Sequence, residues 1–324
     1  VSTPDAPAVL TEAPVLAHML RGGFVESVHR ASVAVTAADG SIERVLGDGV
    51  SPIFPRSANK PLQALAMVRL GLDLPDHLLA LACSSHSGLP YHLAGTREIL
   101  AVASLDESAL QNTPDYPYDA AERDRVIAGG EPKRAVYQNC SGKHAGMVVT
   151  CAGQGWPLET YRDVDHPLQV AMADTLAELA GEPVAAMAVD GCGAPVMAVS
   201  LGGLARAFGR LAAADPSTAE GRVAAAMRAH PEYVGGEGRD VTALIAGTPG
   251  LIAKDGAEAV YAVGLADGRG IALKVADGGQ RARPVILAAV LRALGVESAA
   301  YETLEDAPVL GHGEPVGAVV AVGV

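Results

Sequence analysis

The sequence predicts an α+β fold: an antiparallel sheet flanked by helices, beside a mainly helical lobe. Three observations carry that prediction. Strand-like runs occupy both ends of the chain, the stretch from residue 73 to about 180 is mostly helical, and no strand–helix–strand unit repeats. Segregated strands and helices of this kind give an antiparallel sheet rather than a doubly wound parallel one.

Taken in order, residues 1–17 are rich in Pro and Ala and are expected to form a loose tail or a domain-edge segment, with an N-terminal tail over 1–18 before one continuous catalytic domain over 19–324. Residues 25–37 are rich in Val with polar interleaving, residues 38–41 supply an Asp-Gly turn, and residues 42–46 run back, which predicts a hairpin. A helix is expected from about Ser57, because Pro61 is tolerated only in a first turn, and Gly71 stops it. It opens a helical lobe over about 56–183, with the clearest helices at 92–105 and 168–180. A short strand at 185–189 ends at Asp190-Gly191-Cys192-Gly193. Amphipathic helices follow at 201–213 and 220–230, then strands at 251–254, 259–265 and 270–276 joined by Gly-containing turns, then a helix at 283–294.

Composition narrows the function. The chain has 324 residues, is 49% hydrophobic, and carries a formal charge of −13, which argues against nucleic acid or an anionic membrane surface as a partner. No apolar run approaches the length of a membrane span, and no basic segment leads into a long apolar one. Four cysteines, Cys83, Cys140, Cys151 and Cys192, do not make a disulfide scaffold in a chain this long, so free thiols in a reducing cytoplasm are expected.

Only five of the 24 cationic side chains are lysines, and three of them, Lys60, Lys143 and Lys254, sit inside short motifs that look chemical. A desolvated lysine can lose its proton and serve as a base or ligand, which a guanidinium cannot. Ser57-x-x-Lys60 at a helix start puts hydroxyl and amine on one face, where the helix N-terminus favours an alkoxide and a neutral amine. The same pattern also describes an N-capping serine followed by an exposed lysine. Cys83-Ser84-Ser85-His86-Ser87-Gly88 reads as a tight loop from which Ser85 and His86 reach a cleft, or simply as a cap for the next helix. Cys140-Ser141-Gly142-Lys143-His144 and Asp190-Gly191-Cys192 bring soft ligands that suit zinc, although their spacing is equally that of two buried inert thiols. Lys254-Asp255-Gly256 is a strand-end lysine beside a turn, and Arg239 is a candidate clamp for a substrate carboxylate.

Together, Arg56-Ser57-Ala58-Asn59-Lys60-Pro61, Ser85-His86, Asn139-Cys140-Ser141-Gly142-Lys143-His144, Asp190-Gly191-Cys192 and the Lys254 strand resemble the asparaginase II family, the rhizobial-type (class 3) L-asparaginases. The resemblance runs from about residue 22 to the end and implies a fold akin to the serine β-lactamases and glutaminases. It implies two Ser–Lys pairs, Ser57 with Lys60 and Ser85 with Lys254, and a zinc site made of Cys140, Lys143 and Cys192, with His144 supporting it. Substrate-binding candidates are Arg56, His86, Asp190 and Arg239. The expected reaction is hydrolysis of L-asparagine to L-aspartate and ammonia through an acyl-enzyme, with Ser57 as nucleophile and Lys60 as base, in a homodimer without an organic cofactor. The roles of Ser57 and Ser85 are interchangeable on sequence grounds. A related amidohydrolase acting on glutamine or a β-lactam, and a non-enzymatic zinc-held protein, are the competing readings.

Overall fold

The structure, a computed structural model, describes residues 5–324. The described residues form eleven strands: β1 (Val15–Arg21), β2 (Phe24–Thr36), β3 (Ile42–Leu46), β4 (Pro52–Ile53), β5 (Ala186–Val189), β6 (Pro195–Ser200), β7 (Ile252–Gly256), β8 (Val260–Gly264), β9 (Gly270–Val275), β10 (Pro308–Gly311) and β11 (Glu314–Ala321). The main sheet runs β10-β11-β1-β2-β9-β8-β7, with β3 also paired to β2, and every pairing in it is antiparallel. β4, β6 and β5 form a second, three-stranded antiparallel sheet. The α+β class expected from the sequence is therefore the observed one.

The long strand β2 organises the sheet because its two halves have different partners. Residues near Phe24–Arg30 pair with β1, whereas Ala31–Thr36 pair with β9 on one side and, from Val33, with β3 on the other. Its buried half reads Ala31-Ser32-Val33-Ala34-Val35, small β-branched or short groups that fit between layers. The helix Leu201–Ala213 lies on β2, β8 and β9. It approaches so closely that a Cβ at Gly270 would stand 1.8 Å from the Ala205 carbonyl oxygen and one at Gly264 2.1 Å from that of Phe208. Glycine at those two positions is thus a packing requirement. The helix Arg283–Ala293 packs against β9 and β11.

The helical lobe contains Lys60–Arg69, Asp76–Ala82, Pro90–Ala101, Ser141–Gln154 and Pro167–Ala180, and Ala219–Ala229 packs onto it as well. Its core is aliphatic, with Leu62, Leu65, Met67, Leu79, Leu81 and Met147 fully buried.

Two expectations need correction. The opening segment is not a loose tail through residue 17: Val9 and Leu16 are buried and β1 begins at Val15, inside the main sheet, while residues 1–4 lie outside the described ones. Burial of alternate apolar groups outweighs the Pro/Ala-rich composition there. The sequence reading also assigned no strand after residue 294, yet β10 and β11 complete the sheet edge against β1. Both are short or largely exposed strands, so the apolar alternation that signals a strand is weak in them.

Candidate active site

The site lies where the helical lobe meets the end of β7. Pro55 leads into a short 3-10 turn, Arg56–Asn59, that continues into the helix Lys60–Arg69. Arg56 has φ of 53°, a left-handed conformation costly for a side chain with a Cβ. It is held there by its Nε donating to Asp190 Oδ1 at 2.7 Å. Ser57 follows and faces the cleft.

Lys60 is fully buried, and its Nζ donates to Ser84 O at 2.6 Å and to Ser85 Oγ at 3.0 Å. The expected pairing is thereby crossed. No hydrogen bond joins Lys60 to Ser57 among the described residues, and Lys60 reaches instead across the lobe to the second serine. The expected Ser85–Lys254 pair is not formed either. Lys254 Nζ is bonded to Asp255 O at 2.7 Å and Asp255 Oδ1 at 2.5 Å. The reason is local: Asp255 is the next residue and is itself buried, so it captures the ammonium.

Asp255 is the hub of the cleft. Arg239 Nη2 donates to its Oδ2 at 2.7 Å, and Arg283 Nη1 lies 3.8 Å from the same oxygen while its Nη2 binds Asp240 at 3.0 Å. Burial would raise the Asp255 pKa, but Lys254, Arg239 and Arg283 override it and hold the carboxyl far below the ordinary range. Burial pulls Lys254 down to about 8, with Asp255 opposing the shift and Lys60 adding to it. Arg239 also donates to Ser85 O at 3.3 Å and stacks 4.6 Å from the centre of the Tyr118 ring. The result is a cleft of about 180 Å³ whose lining includes Ser57, Ser85, Tyr118, Asn139, Arg239 and Asp255, together with Gln280 and Arg283.

Of the expected substrate-binding residues, Arg239 lines this cleft; His86, Asp190 and Arg56 do not. His86 is fully buried, accepts from Gly88 N at Nδ1 (3.1 Å) and meets Ser141 Oγ at Nε2 (2.8 Å). Nδ1 thus braces the turn of its own loop and Nε2 ties that loop to the helix Ser141–Gln154, and burial keeps the imidazole neutral, its pKa well below the usual value. Asp190 and Arg56 satisfy each other behind the cleft. Sequence reasoning passed over Tyr118, Asn139, Asp255, Gln280 and Arg283 as cleft residues. Asn139 and Asp255 stood inside quoted motifs and were recoverable; Arg283 reaches the site only through the tertiary fold.

Behind the Asp190 turn, Cys140, Lys143 and Cys192 come together, all buried. Lys143 Nζ lies 3.4 Å from Cys192 Sγ. Cys140 Sγ donates to Asn139 Oδ1 at 3.2 Å. The neighbouring Cys192 sulfur, with burial adding to it, pushes the Cys140 thiol up to about 12, and Cys140 and Lys143 together take Cys192 well below the ordinary thiol value despite burial. Burial would lower Lys143, but Cys192, Cys140 and Asp190 outweigh it and raise its pKa. His144 Nδ1 meets Tyr161 Oη at 2.7 Å, while its buried Nε2 has no partner among the described residues. No group of three or more His, Cys, Asp or Glu side chains converges to hold a metal among the described residues, so any three-residue metal site here must include the amine of Lys143. Two sulfurs and one nitrogen are a donor set that suits zinc.

A sheet-plus-helical-lobe protein with a buried lysine on a cleft serine, beside a cationic hub, has the equipment of an amidohydrolase. Residues 17–321 match the model of the L-asparaginase II family, nearly the whole chain, and the chain belongs to that family. No curated protein matches it by sequence. Among solved structures it is similar to a β-lactamase from Mycobacterium bovis (16% identity, 81% of this chain and 94% of that one, TM-score 0.45). It is also similar to the Bacillus subtilis glutaminase YbgJ, solved as a covalent complex with 5-oxo-L-norleucine (13% identity, 86% of this chain and 93% of that one, TM-score 0.39). Both likenesses are too loose to transfer a residue's role. No helix among the described residues is long and apolar enough to cross a membrane.

Proposed function

We propose that the protein hydrolyses the side-chain amide of L-asparagine, releasing L-aspartate and ammonia through an acyl-enzyme on Ser57. The observation that carries the reading is Lys60: a fully buried amine hydrogen-bonded to Ser85 Oγ at 3.0 Å, one helical turn from Ser57, with both serines on one cleft of a family member. In this scheme the Ser57 proton passes to Lys60 by way of Ser85, the hydroxyl bonded to that amine, as Ser57 Oγ attacks the amide carbon, and Ser85 relays it on to the departing amine. Water then attacks the ester by the reverse route.

Charge supports the choice of an amino-acid substrate. Lys254, Arg239 and Arg283 face Asp255 and Asp240, so three cations meet two carboxylates and one positive charge is left for a substrate carboxylate. The cysteine–lysine cluster would hold a zinc ion through Cys140, Lys143 and Cys192. Bound there, zinc would supply Lewis acidity and order the turn that carries Asp190. Lys143 and Cys140 would each release a proton on binding, as ligation by a neutral amine and a thiolate requires.

The test is ammonia release from L-asparagine and L-glutamine by the wild type, Ser57→Ala and Ser85→Ala. Ser57→Ala should abolish turnover outright, and Ser85→Ala should retain a slow acylation. Full activity in Ser57→Ala, or a covalent adduct trapped on Ser85 in the wild type, would exchange the two serines' roles. Turnover of glutamine alone would move the substrate, not the chemistry.

A further inference from the structure

Tyr118 and Asn139 line the cleft that holds Ser57 and Ser85 and face a neighbouring space as well. The same two residues form a wall of a second hollow of about 820 Å³, lined also by Asp115, Tyr116, Arg123 and Lys133. At about 180 Å³ the catalytic cleft is smaller than the roughly 300–1,000 Å³ typical of sites for larger ligands and suits one small amino acid. Asparagine leaves the neighbouring space unused, because its leaving group is ammonia.

The hollow has a definite chemistry. Lys133 Nζ is tied to Asp115 Oδ1 at 2.9 Å and stands 5.5 Å from the centre of the Tyr116 ring. Arg123 is different: its nearest carboxylate is the adjacent, exposed Asp124, with Nε–Oδ1 at 3.7 Å, too long for a hydrogen bond. An exposed guanidinium with no carboxylate hydrogen-bonded to it among the described residues, lining a hollow with tyrosine walls on a chain of net charge −13, is a local site for a carboxylate attached to an organic group. Tyr118 is held between the two spaces by the stacked Arg239.

Resting on the asparaginase reading of the cleft, we infer that the protein also hydrolyses β-linked aspartyl dipeptides. In these, the side-chain carbonyl of aspartate is bonded to the α-amine of a second amino acid. The aspartyl half would occupy the catalytic cleft, and the second residue would lie in the hollow with its carboxylate on Arg123 and its side chain against Tyr116. The step balances as amide hydrolysis does. The Ser57 Oγ–carbon bond forms as the carbon–nitrogen bond breaks, the departing amine takes the proton that Ser57 gave to Lys60 and leaves as a free amino acid, and water hydrolyses the ester to aspartate.

The experiment measures alanine release from β-L-aspartyl-L-alanine and ammonia release from L-asparagine by the wild type and Arg123→Gln. Both substrates should be turned over by the wild type. Arg123→Gln should raise KM for the dipeptide about tenfold, the scale of one charge-assisted contact, and leave the constants for asparagine unchanged. Asparagine turnover with an intact dipeptide overturns this inference alone. Turnover of neither overturns the asparaginase reading and the inference with it. Dipeptide turnover that Arg123→Gln does not weaken, or a variant that loses both activities equally, overturns the assigned subsite.

Discussion

Lys254 and Lys143 are both buried, yet their environments drive them in opposite directions. At Lys254 burial dominates: Asp255 pulls the pKa back up, but Lys60 and Arg239 add to the downward shift, and it settles at about 8. At Lys143 the same burial is outweighed by Cys192, Cys140 and Asp190, and the proton is held more tightly than in water. Desolvation alone therefore does not make a lysine into a base; the sign of the surrounding charges decides. The cleft sets three cations against Asp255 and Asp240, while the cysteine cluster sets one cation beside the acidic Cys192 thiol and Asp190. The first arrangement suits proton chemistry and the binding of a carboxylate. The second suits a site that exchanges protons for a metal cation.

The largest test of that contrast removes an amine from each side. Lys60→Met takes away the only amine bonded to a cleft serine among the described residues and should lower kcat on asparagine about 10²–10⁴-fold, the usual contribution of a positioned acid or base. Lys143→Met should leave the cleft residues in place and show its effect first in metal content. Equal loss of kcat in the two variants, at equal metal occupancy, would erase the distinction.

Steric probes come next. Gly256 ends β7 under the Ser57 turn, and a Cβ there would stand 2.5 Å from Pro55 O and 3.2 Å from Ala58 N. Those are backbone atoms that cannot swing away, so Gly256→Ala must displace Ser57. A misplacement near 1 Å costs about 10²-fold in rate, readable as lost kcat in a variant that still folds. Gly142 does the corresponding work for the cluster: its Cβ would meet Leu81 O at 2.6 Å, driving the helix that carries Lys143 away from its neighbour. Gly142→Ala should lower the thermal midpoint and zinc binding. Cys192→Ser, which removes the most acidic thiol, should weaken zinc by more than the roughly 10–100-fold typical of losing a supporting hydrogen bond, as metal analysis after dialysis would show.

The two sites were also unequally legible in the sequence. The cluster is legible only through the family resemblance: spacing alone reads Cys140 and Cys192 as buried inert thiols, whereas the resemblance groups them with Lys143, and the three side chains do converge. The cleft was readable in its residues but not in its pairings. Ser57, Lys60, Ser85, Lys254 and Arg239 all reach one region, but helical spacing predicted Ser57–Lys60 contact, and the lysine's rotamer takes Nζ to Ser85 instead. His86 illustrates the other failure. An imidazole beside a cleft serine looks functional, yet burial and two local hydrogen bonds make it a brace. Among the fold elements, the hairpin β2–β3 and the strands β7–β9 carry strong apolar patterns and were visible. β1 and β11 gain their order from pairing with each other, a long-range contact that local periodicity does not encode.

The finest discrimination comes from pH. If charged Lys254 maintains the positive field of the cleft, kcat/KM should fall as pH rises through about 8. Asp255 is the group that opposes this lysine's deprotonation, so Asp255→Asn should move the fall to lower pH whatever it does to the absolute rate. Stability carries the opposite sign. The folded lysine loses its proton near 8 while the unfolded one keeps it until about 10.5, so between those values the unfolded state holds the extra proton and this group's contribution to stability rises with pH. Activity falling over a window in which this lysine's contribution to stability grows separates titration of a cleft group from unfolding. A limb that stays at the same pH in Asp255→Asn would mean that another group controls it and that the hub does not set the charge of Lys254.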